Sequence, residues 1–365
     1  MKNSKQDNNI ASMSSRYSRQ TILPEIGEAG QAKLFSSHIA IVGCGGLGAI
    51  AAAYLVGAGV GRLILVDGDV PDVSNLHRQV FYTAEDKQAK VQHLKTRLKA
   101  LNPEIKIETS ATRLTKNNID NLLTGVDLVL ECTDDQMCKY LVNDFCALEG
   151  VPVVYGAIHK YEGYISLFLN KQESDIHLRD IFPVPDLNIP VCSEVGVLST
   201  VAGLIGVLQA NEAMKYILEI GTPLVGKLLT YDILEGRQMI LKLQKTWSED
   251  LDEVYEANDY LTPACDHVLE MDIDQVLKEI SDIQLISVMT SGEHQDIIEG
   301  CLHVLEKDLG VNQLDREKKK VVLYCRSGRV SKIVASRLLL EDPSLSIYSL
   351  RGGYRAFQKA QKSRS

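Results

Sequence analysis

Three short stretches of the 365-residue sequence carry residues that could act on a phosphate chain. The first is Ile41-Val-Gly-Cys-Gly-Gly-Leu-Gly48, a glycine-rich turn between an apolar run and a helical pattern. Gly43 permits a tight turn, Gly45 and Gly46 let the backbone approach a phosphate, and Gly48 lets helix and strand pack closely. The helix that follows offers unpaired N–H groups and a partial positive charge to an anion. The second stretch, Leu63-Ile-Leu-Val-Asp67-Gly-Asp69, ends a strand on carboxylates able to take ribose hydroxyls. These two alone also fit a dinucleotide oxidoreductase. The third, Ser74-Asn-Leu-His-Arg-Gln79, separates the readings. Asn75, Arg78 and Gln79 form a cluster that a hydride-transfer enzyme does not need. An arginine there can neutralise phosphates about to react.

With these residues in place, the chain from about Arg16 to about Lys245 resembles the MoeB/ThiF/HesA adenylyltransferases, bacterial relatives of the ubiquitin-activating enzymes. The motifs that carry the resemblance are Arg16-Tyr-Ser-Arg-Gln20, the glycine loop, Asp67-Gly-Asp69 and Asn75-Leu-His-Arg-Gln79. They continue with Lys90, Cys132-Thr-Asp-Asp135 and Cys192-Ser-Glu-Val-Gly196. The resemblance implies ATP as the nucleotide and Mg²⁺ as its counter-ion. Asp134 is at the family's metal position, and as a residue it could also cap the helix after Thr133. Arg78 and Lys90 would meet the β- and γ-phosphates. In this family an arginine at the position of Arg16 or Arg19 crosses a dimer interface to the partner's ATP, which implies a homodimer. Cys192 stays open: some members form an acyl intermediate on such a cysteine, and others work without one.

The composition is that of a soluble globular chain of two domains, with 45% hydrophobic and 24% charged residues. The formal net charge of −9 argues against nucleic acid as the main partner. Residues 1–15 are polar, lack the apolar core of a signal peptide and are expected to be disordered. The stretch Val195–Leu208 falls short of the roughly 20 apolar residues that span a bilayer. Eight scattered cysteines suggest no disulfide framework and a cytoplasmic home.

Strand and helix patterns alternate from His38 to Ala157, as in βαβ units, and predict a Rossmann-like, mostly parallel sheet. Tyr164–Asn170, Gly226–Leu234 and Arg237–Lys245 predict an antiparallel extension, with a helix over Ser199–Leu218. The expected division is a first domain over 16–246, an acidic linker over 247–265 and a small α/β domain over 266–362.

In that last domain, strand Val321-Val-Leu-Tyr324 delivers Cys325-Arg-Ser-Gly-Arg-Val-Ser331 at a helix start. Backbone N–H groups, Arg326 and Arg329 all favour a thiolate or another anionic sulfur there. The loop and Leu350-Arg-Gly-Gly-Tyr354 resemble rhodanese sulfurtransferases. The usual Asp-Val-Arg reads Ser287-Val-Met289 here, so the support of the loop is altered. An active sulfurtransferase and a non-catalytic docking module are both compatible. Cys301 reads as a core cysteine.

Many relatives hold Zn²⁺ through two Cys-x-x-Cys pairs. This chain has none, and carries His177-Leu-Arg-Asp180 and Lys245-Thr-Trp-Ser-Glu-Asp250 at those places, so no zinc site is expected. The leading expectation is ATP-dependent adenylylation of the Gly-Gly tail of a ubiquitin-like sulfur carrier, for molybdopterin or thiamine synthesis. A cysteine desulfurase or other donor would load Cys325. No membrane or nucleic-acid partner is expected. The rivals are activation of a different carboxylate and an NAD-dependent oxidoreductase.

Overall fold

The computed structural model describes residues 16–185, 196–260, 268–289, 297–298, 300–306, 308–315 and 318–364. The chain forms two compact units, the first continuing to Tyr260 and the second holding the residues after it.

The first unit opens with a helical turn, α1, at 16–21, and α2 (Gly27–Ser36). There follow β1 (His38–Val42), α3 (Gly48–Ala58), β2 (Arg62–Val66), α4 (Lys90–Leu101) and β3 (Lys106–Ser110). Next come α5 (Lys116–Leu123), β4 (Leu128–Glu131), α6 (Gln136–Leu148), β5 (Val153–His159) and β6 (Glu162–Phe168). The unit closes with α7 (Leu178–Ile181), α8 (Ser199–Leu218), β7 (Lys227–Asp232), β8 (Arg237–Lys242) and α9 (Leu251–Ala257).

The eight strands form one sheet in the order β3-β2-β1-β4-β5-β6-β7-β8. The first five are parallel, and β6 to β8 are antiparallel additions. β1 and β2 read His-Ile-Ala-Ile-Val and Arg-Leu-Ile-Leu-Val because helices cover both of their faces. Ile39, Ile41, Leu63 and Leu65 meet α3, α4 and α8 in one core. Ala40, Val42, Ile64 and Val66 meet α5 and α6 in the other. Small residues let α8 lie close. A Cβ on Gly206 would come 2.5 Å from the Leu47 carbonyl oxygen, and one on Gly163 2.2 Å from Ile205.

The chain leaves β1 for β2 on one side, and β4 lies on β1's other side. The reversal opens a crevice beyond the C-terminal ends of β1 and β4, where sheets of this kind bind ligands. Among the described residues no helix is long and apolar enough to cross a membrane.

Part of the stretch expected as a linker is instead packed. Lys116 Nζ donates to the Tyr255 carbonyl at 2.8 Å, and the Tyr260 hydroxyl donates to Asp144 at 2.5 Å. The acidic composition of 247–260 masked these two tyrosines, which anchor it to the first unit.

The second unit contains β9 (Leu269–Met271), α10 (Ile273–Lys278), β10 (Ile283–Ser287) and β11 (Leu302–His303). They are followed by β12 (Lys320–Tyr324), α11 (Arg329–Glu341), β13 (Ile347–Leu350) and α12 (Gly353–Arg364). Its parallel sheet runs β11-β10-β12-β13-β9. β12, with Val321 to Tyr324 all buried, delivers the chain to Cys325.

Candidate active site

The glycine loop leaves β1 through Gly43, whose φ is +90°. A Cβ at Gly43 would lie 2.8 Å from the Cys132 carbonyl, and one at Gly48 1.9 Å from the Gly43 oxygen. The loop after β1 therefore touches the loop after β4, and both positions admit only glycine. No side chain caps the N-terminus of α3, so its first N–H groups, apart from that of Ala49, which donates to the Gly45 carbonyl, stay available to an anion.

Asp67 braces this loop. Its Oδ2 accepts the Cys44 N–H at 2.7 Å and its Oδ1 accepts the Asp69 N–H at 2.8 Å. Burial raises its pKa, opposed by the charge of Lys90 and by these two N–H groups. The Tyr82 hydroxyl donates to the Cys44 carbonyl at 2.6 Å. Burial, with the charge of Asp67 beside it, pushes the Cys44 thiol well up, so Cys44 acts as packing.

Lys90 begins α4 and is buried, with Nζ 3.0 Å from Asp69 Oδ2. A lone helix lysine is usually solvated; this one has been taken out of water and paired. Asn75, Arg78 and Gln79 share one turn, in which the Arg78 and Gln79 N–H groups both donate to the Asn75 carbonyl. Arg78 is half-buried, and among the described residues no acid pairs with it. Gln79 is 6% exposed, lies against Gly45, and its Oε1 is buried with no partner. A buried orphan acceptor beside a glycine cradle is the mark of a site completed by a ligand.

Asp135, not Asp134, caps α6, its Oδ1 accepting the Met137 and Cys138 N–H groups at 2.9 and 3.3 Å. Asp134 is exposed and left with no partner among the described residues, so its carboxylate is free for a cation. The loop is held from behind by a buried pair that the sequence reading missed. Lys139 Nζ lies 2.5 Å from Glu131 Oε2, and Glu131 Oε1 accepts the Thr133 N–H at 2.8 Å. Burial raises the Glu131 pKa, and Lys139 opposes it. Gln209 of α8 ties the same strand end, donating to the Glu131 carbonyl at 2.8 Å.

Arg16 donates to the Leu101 carbonyl at 3.1 Å, and Gln20 to that of Ala58 at 2.9 Å. Both anchors are C-terminal ends of helices. α3 has 11 residues, so its far end is about 16 Å from the glycine loop. Arg16 and Arg19 thus sit away from the crevice of their own chain. Cys192 lies outside the described residues.

In the second unit, Gly328 turns at φ +93° and donates its N–H to Cys325 Sγ at 3.2 Å. A Cβ at Gly353 would meet the Cys325 carbonyl at 2.2 Å, and Tyr354 donates its N–H to that carbonyl at 2.9 Å. The Leu350-Arg-Gly-Gly-Tyr354 motif therefore seats the cysteine loop. Arg326 is exposed, and Arg329 begins α11. On the strand before this loop Tyr324 is fully buried. Its hydroxyl accepts the Ile298 N–H at 2.8 Å and lies 3.0 Å from Cys301 Sγ. Tyr324 and Cys325 are neighbours at a strand end, where side chains alternate between faces. Cys301 is accordingly a partner of the tyrosine.

The ThiF family model matches residues 17–256, and a relative described as adenylyltransferase and sulfurtransferase MOCS3, from Drosophila grimshawi, is 34% identical over 375 residues. That alignment covers 94% of this chain and 83% of the relative. The chain belongs to the ThiF family. Residues 272–360 match the rhodanese-like domain model, so the ThiF-family adenylyltransferase carries a C-terminal rhodanese-like unit. A sulfur carrier protein adenylyltransferase from Thermus thermophilus is 43% identical over 227 residues, covering 60% of this chain and 84% of that protein. Among solved structures, E. coli MccB with ATP superposes with a TM-score of 0.55 at 21% identity. It covers 63% of this chain and 72% of MccB, and shows the shared fold.

In this ThiF-family chain the stretches His177–Asp180 and Lys245–Asp250 are joined by one carboxylate. Asp180 Oδ2 accepts the His177 N–H at 2.9 Å, and Asp180 Oδ1 accepts the Thr246 and Trp247 N–H groups at 2.7 Å each. His177 Nδ1 accepts the Arg179 N–H at 3.3 Å, and Arg179 pairs with buried Asp144 at 2.6 Å. Burial, with Lys245 nearby, pushes His177 down to about 4. The folded pKa is below the unfolded one, so the unfolded chain binds more protons between them. The stability that neutral His177 contributes is full above about pH 6.5 and is lost as pH falls towards 4. Thermal scans from pH 7 to 4.5 should show this loss, at most about 3 kcal/mol. His177→Gln, which has an acceptor and no titrating ring, should flatten that part of the curve; an identical curve would remove His177 as its source.

Proposed function

We propose that the ThiF-family unit adenylylates the C-terminal Gly-Gly carboxylate of a ubiquitin-like sulfur carrier, and that the rhodanese-like unit carries the sulfur. The observation that carries this reading is the convergence at one crevice of an uncapped helix N-terminus, the orphan acceptor of Gln79, the guanidinium of Arg78, which meets His77 but no acid among the described residues, and the exposed carboxylate of Asp134. The N–H groups and Arg78 suit a triphosphate, Asp134 suits its counter-ion, and the Gln79 oxygen suits a donor such as a nucleoside hydroxyl. In the reaction the carrier carboxylate attacks the α-phosphorus of ATP, and the bond to pyrophosphate breaks. The α3 N–H groups and Arg78 meet the developing charge on the phosphate oxygens. Asp134 would hold Mg²⁺, which neutralises phosphate charge when bound. Lys90, paired with Asp69, would meet the β- and γ-phosphates beside Arg78. A hydride-transfer reading finds no use for Arg78 and Asp134.

A docked carrier would lie on the antiparallel side. Every residue of edge strand β8 is exposed, Met239, Ile240 and Leu241 among them. From β4 to β8 is four strand spacings, about 19 Å. A tail of about six extended residues spans that distance. Arg16 and Arg19, remote from their own crevice, support a homodimer in which they serve the partner's nucleotide. The freed thiocarboxylate would supply molybdopterin or thiamine synthesis, with a cysteine desulfurase loading Cys325 in the cytoplasm.

The test is ATP–pyrophosphate exchange by the purified protein with Mg²⁺ and Gly-Gly-tailed carriers of each pathway, each against a tail-truncated control. Exchange that requires one intact tail supports the reading and names the pathway. ATP binding without exchange on any carrier would move the substrate to another carboxylate.

A further inference from the structure

Beneath Cys325 lie two hydroxyls that no part of the proposed reaction yet uses. Ser331, in the first turn of α11, and Ser349, on β13, are both fully buried. Their oxygens are 2.8 Å apart. Ser331 Oγ is also 3.6 Å from Cys325 Sγ and 3.1 Å from the Gly328 carbonyl oxygen, and Ser349 Oγ is 3.2 Å from that same oxygen. The Gly328 carbonyl already accepts the Lys332 N–H. It therefore does not depend on either serine.

Each hydroxyl has one proton to give. With Ser331 donating to the Gly328 carbonyl, the sulfur receives, among the described residues, only the Gly328 N–H. With Ser349 donating to Ser331, the Ser331 proton is released towards Sγ. The chain Ser349→Ser331→Cys325 then ends on sulfur, and each link polarises the next. A donor to a charged acceptor gains more than one to a neutral acceptor, so the second arrangement is favoured when Cys325 is a thiolate. Because both hydroxyls are out of water, the switch needs only rotation about two C–O bonds.

We infer that Ser331, backed by Ser349, is a switchable hydrogen-bond donor that stabilises the Cys325 thiolate during sulfur transfer. The inference rests on the reading of Cys325 as the sulfur-carrying thiol. Loading with thiosulfate is Cys325–S⁻ + S₂O₃²⁻ → Cys325–S–S⁻ + SO₃²⁻. The thiolate forms a new S–S bond as the sulfane bond of thiosulfate breaks and sulfite leaves with the electron pair. Unloading to cyanide, Cys325–S–S⁻ + CN⁻ → Cys325–S⁻ + SCN⁻, returns the charge to Sγ. Ser331 therefore assists at both ends of the cycle: its proton meets the sulfur as it attacks and again as it leaves.

The experiment compares the full chain with its Ser331→Ala and Ser349→Ala variants. Iodoacetamide modification of the Cys325 peptide is followed by mass spectrometry at pH 7 and pH 10. Ser331→Ala should react about three- to tenfold more slowly at pH 7, the worth of one hydrogen bond, and equally at pH 10. Ser349→Ala, which touches no sulfur, should give the same pattern with a smaller drop. Equal rates at both pH values, or equal slowing at both, would overturn the inference, since a packing effect does not depend on pH. Alkylation needs no sulfur donor. Failure of the wild-type chain to release sulfite from thiosulfate would therefore count against the sulfurtransfer reading and leave the test of Ser331 standing.

Discussion

Arg78→Ala should slow ATP–pyrophosphate exchange about 10²–10³-fold while the protein remains folded. The guanidinium has no acid partner among the described residues, so its removal leaves no buried charge exposed to a lost contact. The local turn is made by backbone: the Arg78 N–H donates to the Asn75 carbonyl, and that bond survives truncation. The loss falls on the charge that develops as pyrophosphate leaves, about 3–4 kcal/mol for one charged donor in a preorganised site. The loss should appear in kcat with little change in KM for ATP, because the contact strengthens as the reaction proceeds. Unchanged exchange would remove Arg78 from the reaction and leave the crevice without its cation.

The second large effect separates the two units. Cys325→Ala should abolish transfer of sulfur to the activated carrier and leave exchange at its wild-type rate. Sγ is the nucleophile and the point of attachment for sulfur, and alanine offers neither. Structurally the change removes one acceptor of the Gly328 N–H. That costs the rhodanese-like unit about 1 kcal/mol, too little to unfold it. The first unit has its own cores, built on both faces of its own sheet, so adenylylation should not notice. The assay is exchange, together with thiocarboxylate formation on the carrier by mass spectrometry. Collapse of both activities would mean that the chemistry is not divided as proposed. Continued thiocarboxylate formation would make the rhodanese-like unit a docking module.

The glycine loop, the alternating strands and helices, the antiparallel addition and the cysteine loop were all legible in the sequence. Each is local: turn chemistry at Gly43, apolar runs of strand length and the alternation of strand and helix patterns. The family's motifs are likewise short runs, so the resemblance could be carried residue by residue. The three-residue strand β9 is too short to show a period in the sequence.

What tertiary structure decided is which residues each side chain meets. Sequence left Asp134 divided between cap and cation; the turn of the chain gave the cap to Asp135 and freed Asp134. Lys90 is a helix lysine by spacing, yet the fold buries it on Asp69, 21 residues away. Arg16 carries the motif of a nucleotide contact, but the anchoring of α1 sets it at the far end of α3. Glu131 and Lys139 form a buried pair only because strand, loop and helix reverse direction between them. Tyr324 meets Ile298 and Cys301, 26 and 23 residues away along the chain. Spacing encodes turns and faces, which are set by neighbours in sequence; ion pairs, caps and orphan acceptors are set by distances between segments, and those exist only once the sheet has assembled.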